Sequence, residues 1–175
     1  ASHLTIGLLG GSFNPVHEGH LHISELALKS LKLDYVWWLV SPQNPLKPKS
    51  SPLAERTASA RAQAHGARMV VTDLEQQLGC AFTYQTLRAL KRLYPGVAFT
   101  LIMGADNLAS FRKWRNWREV AEAVPVVIVS RHGARAAHRL SAPRGWRYLN
   151  ARLHRESSTA IRSGRRAALA KPKRK

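Results

Sequence analysis

Apolar residues in this chain alternate between short unbroken runs and stretches of helical spacing. The runs at 4–9, 35–41, 68–72, 98–103 and 125–130 predict strands, with a shorter one near 146–149. The spacing predicts helices over 19–32, 53–65, 84–93 and 116–123, and a last helix starting near Ser158. Val36-Trp37-Trp38-Leu39-Val40, Phe99-Thr100-Leu101-Ile102-Met103 and Val126-Val127-Ile128-Val129 are apolar almost without a break. Such strands suit a parallel sheet covered on both faces rather than a half-solvated antiparallel one. Strand–helix alternation then implies right-handed βαβ units and a doubly wound α/β sheet. Ligands of such sheets bind beyond the carboxyl ends of the strands, where the loops 10–18, 42–52, 104–113 and 131–145 would gather.

Composition narrows this picture. A chain of 175 residues with 45% hydrophobic content can build one full core, expected over 1–169, with 170–175 as a basic, disordered tail. No apolar run reaches membrane-spanning length, and Leu4–Leu9 is too short for a signal sequence. The single cysteine, Cys80, excludes an internal disulfide and suits a reducing, cytoplasmic setting. The first residue is Ala1 rather than Met, so the start reads as trimmed or engineered. The net charge of +18 is uneven: residues 131–175 carry 14 Lys and Arg against Glu156 alone. That field favours anionic ligands and non-specific nucleic-acid binding through the C-terminal third.

The candidate chemistry begins where the first predicted strand ends, at Gly10-Gly11-Ser12-Phe13-Asn14-Pro15-Val16-His17-Glu18-Gly19-His20. Glycines bring backbone N–H groups close to an anion, and the helix that follows turns its positive dipole end toward the same place. His17 and His20 add imidazole donors without a permanent charge, and Gly19 would let a ligand approach between them. The glycine pattern is neither the dinucleotide G-x-G-x-x-G nor the P-loop G-x-x-x-x-G-K-[ST].

Three further segments carry polar or aromatic candidates. In Met103-Gly104-Ala105-Asp106-Asn107-Leu108, Asp106 is placed to accept from ribose hydroxyls or to cap a helix. In Phe111-Arg112-Lys113-Trp114-Arg115-Asn116-Trp117, Trp117 reads as core, whereas Trp114, ahead of the helix, reads as a stacking wall. Ser157-Ser158-Thr159-Ala160-Ile161-Arg162 combines hydroxyls, free helix-start N–H groups and a guanidinium, which together suit an anion.

G-G-S-F-N-P-x-H-x-G-H after a first strand resembles the signature of the HxGH nucleotidyltransferases. Followed in order by T-Y-Q-T-L at Thr83–Leu87, G-A-D-N-L, F-x-x-W-x-x-W, V-I-V-S-R-H-G and S-S-T-x-I-R, it looks like the bacterial nicotinate-mononucleotide adenylyltransferases. The resemblance covers residues 4–163 and implies a Rossmann-like doubly wound sheet of five to six strands, of nucleotidyltransferase type. It implies adenylyl transfer from Mg-ATP to nicotinate mononucleotide, with Mg²⁺ held mainly by the ATP phosphates and no metal site of the protein's own.

Carried over by matching motif, Gly10, Gly11, Ser12, Phe13, His17 and His20 would hold ATP phosphates, and Gly104 and Asp106 the nucleotide. Ser158, Thr159 and Arg162 would close over adenine and phosphates, while Lys47, Thr83 and Trp114 would meet the mononucleotide. His17, His20 and Arg162 would carry the catalysis. Asn14 stands where the family has Asp, and the segment after Arg162 is expected to form a shorter cap than the family's. Another small-molecule nucleotidyltransferase, such as the pantetheine-phosphate enzyme, and an inactive nucleic-acid-binding relative remain open, as does homo-oligomerisation.

Overall fold

Six strands form one all-parallel sheet: β1 Leu4–Gly11, β2 Tyr35–Val40, β3 Met69–Thr72, β4 Val97–Gly104, β5 Val126–Arg131 and β6 Arg147–Ala151. The helices are α1 Glu18–Ser30, α2 Leu53–Gln63, α3 Leu74–Gln77, α4 Thr83–Leu93, α5 Ala105–Phe111 and α6 Trp117–Ala123. This computed structural model describes residues 3–42, 50–131 and 145–151. The strand order is β3-β2-β1-β4-β5-β6, the doubly wound arrangement that the sequence predicts.

The unbroken apolar runs are explained by a core on each face of the sheet. One face packs Ile6, Leu8, Phe99, Leu101, Met103 and Ile128 under α4, α5 and α6 through Leu87, Leu90, Leu108, Phe111 and Val120. The other packs Leu9, Val36, Trp38, Val40, Ile102 and Val129 under α1 and α2 through Leu21, Ala27, Leu28 and Ala60. Successive residues of β1 serve opposite faces, as the pleat requires.

At Gly7, in the middle of β1, an added Cβ would lie 2.6 Å from Ile102 Cδ1 and 2.7 Å from Leu33 Cδ1. The missing side chain therefore lets the residues after α1 close onto the sheet.

Two elements depart from the sequence expectation. The 104–113 stretch is not all loop, because α5 occupies Ala105–Phe111 and buries Ala105, Leu108 and Phe111 against the sheet. The short α3 also stands where no helix is expected. A helix of four or seven residues offers too few turns for periodicity to register. No helix among the described residues is long and apolar enough to cross a membrane.

Filling the space at Gly7 tests this packing. Gly7→Val should destabilise the fold by about 1–3 kcal/mol through overpacking, read from urea unfolding. An unchanged midpoint would show that Leu33 and Ile102 can move aside.

Candidate active site

In the sheet order β1 and β4 are neighbours, and the chain winds outward from them in both directions. That is the topological switch point, where the loops leaving adjacent strands diverge and open a crevice. The register pairs Leu9 with Ile102, so Gly10–Gly11 and Met103–Gly104 reach the carboxyl edge together. Among the described residues the space above Gly10 is open: a Cβ built there meets nothing within 4 Å. Beside it, the Gly11 carbonyl accepts from both the Ser41 N–H at 3.0 Å and the Ser41 hydroxyl at 3.1 Å.

The loop that follows turns on Phe13. Its φ of 47° is in the left-handed region, strained for a bulky residue. Its ring is 2% exposed, stacks on Trp38 at 5.3 Å and touches the His20 ring at 4.6 Å. Burying a phenyl ring yields about 1.5–3 kcal/mol. Left-handed backbone costs about 1–3 kcal/mol, so ring burial offsets the strain and holds the turn. The Asn14–Pro15 peptide within this turn is cis. Trp38 is itself fixed, donating from Nε1 to the Ser24 hydroxyl at 2.7 Å, which donates on to the His20 carbonyl at 2.8 Å.

His17 is the N-cap of α1 and His20 its third helical residue, and the two close a reciprocal capping box. The Gly19 N–H donates to His17 Nδ1 at 3.1 Å, and the His17 N–H donates to His20 Nδ1 at 3.2 Å. Imidazoles thus play the parts usually taken by a hydroxyl and a carboxamide. With both Nδ1 atoms accepting, the neutral rings carry their protons on Nε2, which is each ring's N–H donor atom. The arrangement also corrects the expectation for Gly19, which is buried and spends its N–H inside the cap.

Burial pushes the His20 pKa from 6.5 down to about 3, and the neighbouring His17, with its ring centroid 4.0 Å away, pushes the same way. His20 is therefore an uncharged donor throughout the physiological range.

Across the crevice, Gly104 is the N-cap of α5 and Asp106 sits exposed in the helix's first turn. Because Gly104 holds the N-cap position, Asp106 is not the N-cap residue of α5. A Cβ at Gly104 would lie 2.5 Å from Asp106 Oδ1, so the carboxylate folds back over the glycine. Thr83 is the first residue of α4, whose start is held by Gln85 Oε1 accepting from the Ala81 and Phe82 N–H groups. Arg115 lies over the Phe82 ring at 5.3 Å and so joins that helix start to the turn containing Trp114. Trp114 and Trp117 are half-buried, and each packs on Phe111, at 5.4 and 6.0 Å. Trp114 thus rests one part of its ring on the core and leaves another part accessible. Lys47, Ser158, Thr159 and Arg162 lie outside the described residues, as do the predicted last helix and the basic tail.

Sequence reasoning missed Arg56. It is 3% exposed and directs its guanidinium at four backbone carbonyls around the site. A signal existed: positions 53, 56, 57 and 60 fall on one face of α2, and that face is the buried one.

Three comparisons bear on these features. Residues 8–164 match the model of the cytidylyltransferase-like family. A probable nicotinate-nucleotide adenylyltransferase of Cereibacter sphaeroides is 51% identical over 94% of this chain and 86% of its own. One of the same name from Caulobacter sp. is 46% identical over 91% of this chain and 97% of its own. The fold is that of the Plasmodium falciparum nicotinic acid mononucleotide adenylyltransferase complexed with NaAD, with a TM-score of 0.76 and 17% identity. That match covers 92% of this chain and 83% of the other.

The buried neutral imidazole makes stability depend on pH. Its folded pKa is about 3 against 6.5 unfolded, so only the unfolded chain takes up this proton as pH falls through that window. The contribution is fully present above the unfolded value, and about 2 kcal/mol of it should be lost between pH 7 and pH 5. His20→Gln keeps a side-chain acceptor for the cap but cannot titrate, so its stability should fall less over the same range. Chemical denaturation at both pH values checks this; parallel losses in the two proteins would refute it.

Proposed function

Because the chain belongs to the nicotinate-nucleotide adenylyltransferases of the cytidylyltransferase-like family, we propose that it transfers the adenylyl group of ATP to nicotinate mononucleotide, giving deamido-NAD and pyrophosphate. The observation that carries the reading is the glycine loop and histidine-capped helix start beside Gly104 and Asp106 at the switch point. The N-terminus of α1, with neutral imidazole donors at its mouth, suits the triphosphate. Asp106 suits the ribose hydroxyls, which it would accept from. Thr83 and the accessible part of Trp114 suit the nicotinate ring and its carboxylate. Lys47, Ser158, Thr159 and Arg162 are assigned to phosphate and adenine contacts by their motifs alone. The single domain over 1–169 and a cytoplasmic setting belong to the same reading.

The attacking group is a phosphate monoester, whose second pKa of about 6 leaves it largely ionised at neutral pH. No general base is needed. A phosphate oxygen of the mononucleotide bonds to the α-phosphorus of ATP as the bond to the bridging oxygen breaks, and pyrophosphate departs with its electron pair. What the chain supplies is alignment and donors to the negative charge that builds on the α-phosphoryl oxygens. Backbone N–H groups of the loop and the Nε2–H groups of His17 and His20 are such donors, set by the fold before substrate arrives. Neutrality suits His20 to this task, because a donor that never titrates near pH 7 keeps its role across the working range. The donor set of this crevice suits anions, so a divalent cation such as Mg²⁺ would be held by the triphosphate. There it would neutralise charge on the phosphates.

Pyrophosphate release with Mg-ATP and each of nicotinate mononucleotide, nicotinamide mononucleotide and phosphopantetheine in turn tests the reading. Turnover should be fastest with the first; turnover only with phosphopantetheine, or none at all, would overturn it. His17→Ala and His20→Ala should each lower kcat by a factor on the order of 100, with a smaller change in ATP affinity. Trp114→Ala should raise KM for the mononucleotide while leaving that for ATP in place. Loss of thermal stability without that KM change would return Trp114 to the core.

A further inference from the structure

Arg56 has a role that neither the motifs nor the family name assigns. Its Nε donates to the Ser51 carbonyl at 2.7 Å. Nη1 donates to the Ser12 carbonyl at 2.7 Å and to that of Ser41 at 2.9 Å. Nη2 donates to the Pro42 carbonyl at 2.8 Å. One planar group therefore gathers the glycine loop, the end of β2 and the residues leading into α2. The Ser41 hydroxyl and N–H, both on the Gly11 carbonyl, form a second tie between the same two segments.

Among the described residues these ties satisfy hydrogen bonds but not charge. Among the described residues the partners of Arg56 are carbonyls, with no carboxylate. A guanidinium keeps its proton even where burial pulls its pKa down, as it does here. A buried charge without a counter-ion is costly, and carbonyl dipoles offset only part of that cost. The positive charge also stands 2.7 Å from the Ser12 carbonyl, inside the loop that opens at the switch point. An anion seated on that loop supplies the missing negative charge.

We infer that Arg56 is a positioning residue for the phosphate loop: it fixes Ser12 against Ser41, Pro42 and Ser51, and its charge is complemented when a polyphosphate occupies the loop. This rests on the reading of the loop as the triphosphate site. It goes beyond that reading in assigning part of the anion affinity to a side chain buried beneath the loop. Arg56 differs in this from His17 and His20, which carry no permanent charge.

Calorimetric titration with ATP and with inorganic tripolyphosphate tests the inference on wild type, Arg56→Lys and Arg56→Met, with folding checked by circular dichroism. Lysine keeps the charge but cannot reach four carbonyls, so binding of both ligands should weaken about tenfold, and further in Arg56→Met. Amide exchange at residues 10–14 should quicken in both variants. KM for ATP should rise, with that for the mononucleotide unchanged, a split that a merely structural role would not produce. Folded Arg56→Lys with wild-type affinity and wild-type exchange would overturn the inference.

Should the Arg56 variants fail to fold, Ser41→Ala decides. It removes one hydroxyl bond to Gly11 and should weaken tripolyphosphate binding about threefold; unchanged binding and exchange would overturn the inference. Wild-type protein that binds neither ATP nor tripolyphosphate would instead refute the triphosphate reading and this inference with it.

Discussion

The carboxyl edge of the sheet takes its shape from one buried ring. Phe13 sits in backbone geometry that a bulky residue avoids, and the burial of its ring against Trp38 and His20 keeps it there. Because that burial is worth about as much as the strain costs, the turn holds only while Trp38 and α1 hold their places. Trp38 is tied to Ser24 and through it to the His20 carbonyl, so ring, helix start and β2 form one closed circuit. The loop is thus part of the core, although its two glycines lie at the surface.

Electrostatics in this region are arranged in two layers. At the helix start are imidazoles whose Nδ1 atoms are committed to backbone N–H groups, one of them held neutral by burial and by its neighbour. Beneath the loop is a guanidinium, charged and enclosed, with carbonyls as partners. A site for a highly charged ligand gains from this division. Directional donors set the geometry of the transferred group, while the permanent charge acts from behind, shielded from solvent, where the local dielectric is low. Charged side chains at both places would repel one another across the loop, and neutral ones at both would leave the ligand's charge unmatched.

Much of this protein was legible in the sequence because it rests on local pattern. Continuous apolar runs mark strands buried on both faces, glycine pairs and a histidine repeat mark the loop, and the order of the elements entails the switch point between β1 and β4. The glycine loop, Gly104 and Asp106 were placed at one edge by that logic alone, since each follows a strand directly. Short helices were not legible: α5 buries Leu108 and Phe111 through barely two turns, too little for a period to show.

What the tertiary structure alone decided are contacts whose partners are remote in sequence or lie in the backbone. Ser12 and Arg56 are 44 positions apart, and the donor meets a carbonyl, which every residue has and which therefore leaves no trace in the sequence. The same holds for the histidines. Their spacing announces a pair, yet only the folded helix start shows that each ring accepts a backbone N–H on one nitrogen, which leaves the other to carry the proton. Residue type and spacing determined which chemistry could be assembled at this edge. Backbone geometry, through the left-handed turn at Phe13 and the buried face of α2, decided which atoms remain to perform it.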